Sequence, residues 1–242
     1  MRPIVIIPTY NEKENIQKML DVVLGLQPEF DVLIVDDNSP DGTAQIVKIN
    51  YGGNERIHLL EREGKQGLGT AYIAGFHWCL DKGYNFIFEM DCDFSHDPND
   101  LIRLYQVLKN DESDLVIGSR YVNNVVNVVN WPMGRVLMSY FASVYVRFIT
   151  RMKVADATAG FVGYKRTVLE AIDLDNIKFK GYAFQIEMKY SATLLKFRVK
   201  EIPIIFTDRE EGTSKMSGGI FREALFGVIS MRLRSLFSKN PK

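Results

Sequence analysis

Two aspartates, Asp91 and Asp93, are the residues whose type and spacing most directly suggest chemistry. They follow a run at 86–90, rich in aromatic and aliphatic residues, that is typical of a buried strand. Side chains alternate along a strand, so both carboxylates leave its end on one face and converge. Such hard oxygen ligands suit Mg²⁺ or Mn²⁺, which completes its shell with water and substrate phosphates. The pair therefore predicts a metal and diphosphate site; the alternative is a turn in which the aspartates bond only their own backbone.

The elements that must position this pair are strands alternating with helices. We predict strands at 4–7, 32–35, 57–60 and 86–90, and helical spacing of apolar residues at 15–24, at 44–48 and up to residue 80. This alternation predicts an α/β fold with a doubly wound, mostly parallel sheet. Ligands of such sheets bind beyond the carboxyl ends of the strands, and a polar cluster follows each predicted strand.

Three further side chains are expected at the same rim as the aspartate pair. Tyr10 and Glu12 follow the first strand, and Asp37 follows the second. A tyrosine can stack on a base, carboxylates can bind base or ribose hydroxyls, and the aspartate pair can hold a metal bound to a diphosphate. Taken singly, each loop is equally well explained by turn and N-cap chemistry. Together, they predict a nucleotide-sugar pocket.

Composition and charge exclude several classes of protein. The 242 residues are 46% hydrophobic and 25% charged, with 30 basic and 30 acidic side chains, which argues against nucleic acid as a partner. Two cysteines cannot form a disulfide framework, and this fits a reducing cytosol. We expect no export signal and no membrane-spanning helix, because no apolar run approaches the roughly 20 residues that a bilayer requires.

A polar residue recurs every fourth position in the apolar segment that follows Pro132. On a helix these residues form one slowly drifting stripe: Arg135, Ser139, Ser143, Arg147 and Arg151. We interpret Ser143, Arg147 and Arg151 as the exposed edge of a core helix. Arg135 and Ser139 receive a separate interpretation below.

The C-terminal residues predict a basic amphipathic helix. Six basic residues against one acidic residue give a net charge of plus five from residue 215 onward. Such a helix either packs on the domain or lies in a membrane surface, and alone the sequence favours packing. The apolar residues at helical spacing are Phe221, Leu225, Val228, Ile229, Leu233 and Leu236.

Motifs along the whole chain resemble those of the family 2 inverting glycosyltransferases, and within them the dolichyl-phosphate (polyprenyl-phosphate) mannosyltransferases. They lie, in order, at 8–12, 36–43, 65–72, 90–98, 118–121, 131–139, 159–161, 181–188 and 209–216. The resemblance implies a GT-A fold, which is a Rossmann-like, mostly parallel sheet flanked by helices. It further implies a catalytic domain at 1–215 and a basic amphipathic helix and tail at 216–242. The nucleotide-sugar half would span about 1–118, and the acceptor half about 119–215 with an interface helix at about 131–151.

The resemblance also implies roles for individual residues in transferring mannose from GDP-mannose to a polyprenyl (dolichyl) phosphate. The metal, Mg²⁺ or Mn²⁺, would bind Asp91 and Asp93, and the acceptor phosphate would bind Arg120, Arg135 and Ser139. The expected nucleotide-sugar contacts are Pro8, Tyr10, Glu12, Val35, Asp37, Asp91, Cys92, Asp93 and Lys215. The expected catalytic residues are Asp93, Arg120, Arg135, Ser139 and Arg209. Cys92 stands where the family commonly has a smaller residue, often alanine.

A polyprenyl acceptor lies in a bilayer, which changes the expectation for the two apolar helices. We expect the helix after Trp131 and the C-terminal helix to dock the enzyme on a membrane surface and to shelter the lipid phosphate between them. The protein would then be cytoplasmic and peripheral on the cytoplasmic face of a membrane, an arrangement compatible with a membrane-anchoring partner.

Three other functions remain open from the sequence. The closest is transfer of another sugar to the same lipid, such as glucose from UDP-glucose. A phosphatase could use the Asp41-Gly42-Thr43 turn, although Ser39 occupies the position where such enzymes carry the nucleophilic aspartate. A non-catalytic membrane-surface module would use the basic tail and leave the aspartate pair unexplained.

Overall fold

The computed structural model describes residues 2–122, 125–208 and 218–237. Within them the strands are β1 (Ile4–Thr9), β2 (Asp31–Asp36), β3 (Ile57–Glu61), β4 (Phe86–Glu89), β5 (Leu115–Ser119), β6 (Val128–Val129), β7 (Val162–Lys165), β8 (Val199–Pro203) and β9 (Phe206–Thr207). The helices are α1 (Ile16–Leu24), α2 (Thr43–Tyr51), α3 (Leu68–Asp81), α4 (Asp100–Lys109), α5 (Met133–Thr150), α6 (Arg166–Ala171), α7 (Tyr182–Leu194) and α8 (Gly218–Phe237).

The central sheet has seven strands in the order β3-β2-β1-β4-β7-β5-β8. Every neighbouring pair is parallel except the two that involve β7, which runs antiparallel to both β4 and β5. The predicted α/β fold with a mostly parallel sheet is therefore confirmed. Strands β6 and β9 form a separate two-stranded sheet.

This topology gathers the functional loops at one edge of the sheet. Because β4 and β5 both run antiparallel to β7, they point in the same direction as each other and as β1 and β2. The loops after β1, β2, β4 and β5 therefore leave from the same edge, and the residues before β7 arrive there. Strand order reverses between β1 and β4, which is where open α/β sheets bind their ligands.

Two apolar layers cover the sheet, and strand alternation explains both. Val5 and Ile7 face the layer that contains α1, α2 and α4, whereas Ile4 and Ile6 face the layer that contains α3, α6 and α7. A third cluster joins α7 to α5 and α8. Among the described side chains, α5 and α8 pack on α7 and on each other.

The orientation of α5 contradicts part of the predicted polar stripe. Ser143 is 1% exposed and was wrongly predicted to lie on an exposed edge, while Arg147 is half-buried and Arg151 is exposed. The exposed face of α5 carries large apolar residues: Met133, Leu137, Met138, Tyr140, Phe141 and Phe148. Periodicity identifies which residues share a helix face, but the neighbouring helices decide which face is buried.

Gly163 in β7 provides a test of how tightly the sheet is packed. A Cβ at this position would stand 2.5 Å from Phe88 Cε1 and 3.0 Å from Val116 Cγ1, and both of those side chains are fully buried. We expect Gly163→Ala to lower the free energy of unfolding by about 1–3 kcal/mol, because neither neighbour can retreat. Thermal denaturation measures this change. Gly134→Ala is the matched control, since a Cβ there meets nothing within 4 Å, and an unchanged melting temperature for Gly163→Ala would contradict the packing.

Candidate active site at the carboxyl edge of the sheet

A cleft of about 330 Å³ opens where β1, β2 and β4 end. It is large enough for part of a nucleotide-sized ligand. Most of the predicted nucleotide-sugar residues line it: Pro8, Tyr10, Glu12, Asp37, Asp91, Cys92 and Asp93. Val35 does not, because its side chain is fully buried in the core next to Pro8 in the β1–β2 register. Arg209 and Lys215 lie outside the described residues.

A buried aspartate holds the loops that follow β1 and β2 together. Asp36 Oδ2 accepts hydrogen bonds from Thr9 Oγ1 at 2.7 Å and from Ser39 Oγ at 2.6 Å. Asp41 is used in a similar way, since its carboxylate accepts from the backbone N–H groups of Lys13 and Thr43, each at 3.0 Å. These bonds show that Asp41 belongs to a turn that fixes the start of α2. The Asp-Gly-Thr sequence therefore has a structural role, and a phosphatase activity is not needed to explain it.

Asp37 forms the inner end of the cleft on the side of β2. Its side chain is 8% exposed and its Oδ1 lies 3.2 Å from Nε of Arg62. Burial raises the pKa of the Asp37 carboxyl, and the Arg62 charge opposes that rise. Arg62 also donates to Thr70 Oγ1 at 2.8 Å, which ties the loop after β2 to the first turn of α3. Asp37 is therefore a rigidly held hydrogen-bond acceptor.

Two lysines that sequence reasoning did not assign to the pocket flank the cleft. Lys65 Nζ stands 4.8 Å from the centre of the Tyr10 ring. Lys180 also lines the cleft, and its carbonyl accepts a 2.8 Å bond from the Gly69 N–H at the start of α3. Gly67 has a φ of +105° and a Cβ there would stand 3.1 Å from Lys180 Cβ, so glycine is required. Lys65 lies in a recognised motif, whereas no local pattern points to Lys180.

The chemistry of Asp91 and Asp93 fits a divalent ion that shares its shell with a substrate. Both carboxylates are half-buried and line the cleft, and Asp93 Oδ1 accepts the Ser95 N–H at 3.1 Å. Within the described ranges no group of three or more His, Cys, Asp or Glu side chains could hold a metal alone. Two hard oxygen donors without a complete protein cage are what Mg²⁺ typically uses beside substrate phosphates.

Gly160 and His96 form the boundary between the aspartate pair and the second half of the site. A Cβ at Gly160 would stand 4.0 Å from Asp91 Oδ2 and 3.9 Å from His96 Cε1, so bare backbone faces both groups. The His96 ring is 3% exposed and stacks on Phe161 with centroids 5.0 Å apart. Burial holds the pKa of His96 well below its usual range, so the ring is neutral at neutral pH.

Arg120, the first predicted acceptor residue, is locked to a carboxylate that was not predicted. Its Nε and Nη2 donate to the two oxygens of Asp156, each at 2.7 Å, and its backbone N–H donates to Oδ2 at 3.0 Å. Burial alone would raise the pKa of Asp156, but the charge and hydrogen bonds of Arg120, together with the charge of Lys189, hold that pKa below its usual range. Asp156 therefore stays ionised and fixes the direction of Arg120.

Arg135, the second predicted acceptor residue, is held more loosely. Its Nη1 donates to both oxygens of Asp208 at 2.9 Å, and each side chain of this pair is 30% exposed. Trp131 brings the two arginines together, because its ring centre lies 4.2 Å from Cζ of Arg135 and 5.5 Å from Cζ of Arg120. Ser139 is half-buried one turn further along α5. The predicted acceptor residues thus share one corner of the site.

Two bacterial proteins are similar to the chain over nearly its whole length. The undecaprenyl-phosphate mannosyltransferase of Micrococcus luteus is 46% identical over 228 residues, which cover 94% of this chain and 93% of that protein. The polyprenol monophosphomannose synthase of Mycolicibacterium smegmatis is 45% identical over 234 residues, covering 96% and 88%.

The fold and the sequence family agree with these similarities. Glucosyl-3-phosphoglycerate synthase from Mycobacterium tuberculosis, solved with Mn²⁺, UDP-glucose and phosphoglyceric acid, superposes with a TM-score of 0.70 at 17% identity over 96% of this chain and 80% of that one. At this identity the similarity establishes the fold alone. The model of glycosyl transferase family 2 matches residues 4–173, more than half of the chain. With its predicted α/β sheet confirmed, this chain belongs to glycosyltransferase family 2 and is a glycosyltransferase.

Proposed function

We propose that the protein transfers mannose from GDP-mannose to a polyprenyl (dolichyl) phosphate with inversion at the anomeric carbon. The observation that carries this proposal is the placement of an acidic donor cleft and a pair of arginines at one sheet edge, separated by Gly160 and His96. The two relatives, named as an undecaprenyl-phosphate mannosyltransferase and a polyprenol monophosphomannose synthase, cover 94% and 96% of the chain and therefore both halves.

On the donor side, the cleft offers groups for each part of a nucleotide sugar. Tyr10 presents a ring for stacking and Asp37 a fixed acceptor for the base or ribose, while Lys65 and Lys180 carry charges suited to phosphate. Asp91 and Asp93 would hold Mg²⁺ or Mn²⁺, which when bound supplies positive charge to the departing diphosphate. We assign Arg209 and Lys215 to the same task, from the family pattern alone.

On the acceptor side, the lipid phosphate needs orientation more than activation. A phosphate oxygen is anionic near neutral pH, so it attacks without a general base once it is placed in line with the leaving group. Two hydrogen bonds to Asp156 fix the orientation of the Arg120 guanidinium, which can bind the phosphate. Arg135 can exchange the partly exposed carboxylate of Asp208 for the phosphate, and Ser139 adds a hydroxyl.

The two apolar helices fit a peripheral position on a membrane. Helix α8 has two apolar faces, since Val228 and Met231 are buried against α5 and α7 while Phe226, Ile229 and Leu233 are 63%, 40% and 49% exposed. With the exposed aromatic residues of α5 they give an apolar surface of the kind that binds bilayers. In the described ranges, no helix has the length and apolar character to cross a bilayer.

These assignments keep the expected division of the chain. The donor half at about 1–118 supplies the cleft. The acceptor half at about 119–215, with α5, supplies the arginine corner, which consists of Arg120 and Arg135. The C-terminal part at 216–242, with α8, adds to the membrane surface. We place the enzyme on the cytoplasmic face of a membrane, and a membrane-anchoring partner is compatible with this placement.

Phe148 provides a test of the membrane surface. Its side chain is 82% exposed on α5, and Phe148→Ser should weaken binding to vesicles of anionic phospholipid roughly tenfold, since burying a phenylalanine contributes about 1.5 kcal/mol or more. Co-sedimentation with vesicles measures the effect. Ile49→Ser is the matched control, because Ile49 is 72% exposed on α2, away from the proposed surface. Equal losses in the two variants would contradict the proposed surface.

A transfer assay tests the proposed function itself. The protein is incubated with mannose-labelled GDP-mannose, Mn²⁺ and vesicles that contain undecaprenyl phosphate, and label is counted in the organic phase. We expect label in lipid, lost when the metal is chelated and competed by unlabelled GDP-mannose. The assay is repeated with labelled UDP-glucose. If only UDP-glucose labels the lipid, UDP-glucose is the donor and GDP-mannose is not. If no sugar nucleotide labels the lipid, the proposal is refuted.

A further inference from the structure

Lys189 of α7 is a fully buried cation that the assignments above leave unused. Its side chain has no exposed surface, and its ammonium donates to the Ala159 carbonyl at 2.6 Å and to the Gln185 carbonyl at 3.1 Å. A third bond at 3.2 Å goes to Gln185 Oε1. Burying an ammonium costs several kcal/mol unless it is well compensated, so these contacts require an explanation.

The shortest of these bonds holds the backbone beside the active site. Ala159 directly precedes Gly160, whose bare backbone faces Asp91 and His96 at the distances given above. The chain then enters β7 through Phe161, whose carbonyl accepts the Gly118 N–H at 2.8 Å. Lys189 therefore anchors the peptide that joins Ala159 to Gly160, just before the chain enters β7, and Gly160 faces the proposed metal ligand Asp91.

Two carboxyl groups interact with the ammonium of Lys189: that of Glu89 on the donor side and that of Asp156 on the acceptor side. Gln185 bridges the ammonium to Glu89, because the amide donates to Glu89 Oε2 at 2.7 Å while its oxygen accepts from Lys189. Glu89 ends β4, two residues before Asp91. The negative charge of Asp156, the carboxylate that aims Arg120, also acts on the ammonium. Burial lowers the pKa of Lys189, and the charges of Glu89 and Asp156 oppose that effect.

We propose that Lys189 is a positioning residue for the transfer reaction, which holds the Ala159–Gly160 peptide in place beside Asp91. This role rests on the proposed function. Stability is a weak explanation for such a residue, because well-packed apolar side chains of similar volume usually stabilise a core at least as well as buried charges do. What apolar side chains cannot provide is a directed bond to a backbone carbonyl beside the site.

Two variants separate positioning from charge balance. Lys189→Met removes the ammonium and leaves Glu89 and Asp156 without it, so we expect a lower melting temperature and a loss of activity. The double variant Glu89→Gln, Lys189→Met also replaces the buried carboxyl that faces the ammonium with a neutral amide, which can still accept the Gln185 bond, and should recover most of the melting temperature. Because the Ala159 carbonyl still lacks its donor, we expect kcat per folded molecule to remain roughly 10–100-fold below wild type. Glu89→Gln alone is the matched control and should keep most of the activity.

Binding of GDP in the presence of Mn²⁺, measured by calorimetry, gives a readout that needs no acceptor. We expect it to be roughly tenfold weaker in both variants that lack Lys189. If wild-type protein binds GDP with Mn²⁺ but transfers no mannose, the proposed function fails, and the binding data still test Lys189. The positioning role would be overturned if the double variant had the wild-type melting temperature, GDP affinity and kcat. Lys189 would then serve only to compensate the buried carboxyl of Glu89.

Discussion

Asp91→Asn should lower mannosyl transfer roughly a thousandfold, which corresponds to about 4 kcal/mol of lost transition-state stabilisation. The amide keeps the shape of the carboxylate but not its charge, so the proposed divalent ion loses one of its two protein ligands. The fold should tolerate the change, because the negative charge of Asp91 acts unfavourably on the buried carboxyl of Glu89 and its removal relieves that effect. Binding of GDP should lose its dependence on added Mn²⁺, while the melting temperature stays within the range of the wild type.

Asp97→Asn is the matched control for this prediction. Asp97 lies four residues beyond Asp93 in the same loop, but its carboxylate is exposed, and its Oδ1 accepts bonds from the backbone N–H and the side-chain amide of Asn99 at 2.9 and 2.8 Å. An asparagine can still accept those bonds, so transfer should be retained. An Asp91→Asn enzyme with wild-type transfer and metal-dependent GDP binding would remove the aspartate pair from the mechanism.

Arg120→Lys should lower kcat/KM for polyprenyl phosphate roughly 100-fold while leaving binding of GDP with Mn²⁺ unchanged. Lysine keeps the positive charge beside Asp156, so the buried carboxylate is not left without a counter-charge. It cannot reproduce the two parallel bonds of 2.7 Å that aim the guanidinium, and a point charge on a flexible stem orients the phosphate poorly. Steady-state kinetics with each substrate varied in turn, beside calorimetry with GDP, separates the two halves of the site.

Arg103→Lys is the control for loss of an arginine as such. Arg103 pairs with Asp100 within α4 and is 49% exposed, away from both the cleft and the arginine corner. Its substitution should leave both kinetic constants unchanged. A parallel loss of GDP binding in Arg120→Lys would place Arg120 on the donor side, contrary to the assignment made here.

The sequence was sufficient to predict the parts of the molecule that depend on local pattern. Continuous apolar runs predicted β1, β2, β3 and β4, and the polar residues after β1, β2 and β4 proved to line one cleft. This succeeded because parallel strands bring their carboxyl ends to one edge whatever the details of packing. Val35 is the exception among the expected contacts, since its alternation in β2 directs its side chain into the core.

The remaining features of the site depend on contacts between distant segments. Lys180 reaches the cleft only because its backbone packs on the start of α3, and Asp156 meets Arg120 from 36 positions away. Neither contact leaves a periodic trace in the sequence. Ser143 illustrates the same limit for a helix, because its spacing was recognised but the sequence did not show that it shares a face of α5 with Val146, which packs against α7 and α8.

The anomeric configuration of the lipid product tests the central claim most directly. The sugar of GDP-mannose is α-linked, and a single in-line attack by a phosphate held at Arg120 and Arg135 on a donor held at Asp91 and Asp93 inverts that linkage. Wild-type protein with GDP-mannose, Mn²⁺ and undecaprenyl phosphate should therefore yield β-mannosyl phospholipid and GDP, as determined by NMR of the purified product. An α-linked product, or a lipid that carries no mannose, would contradict this account.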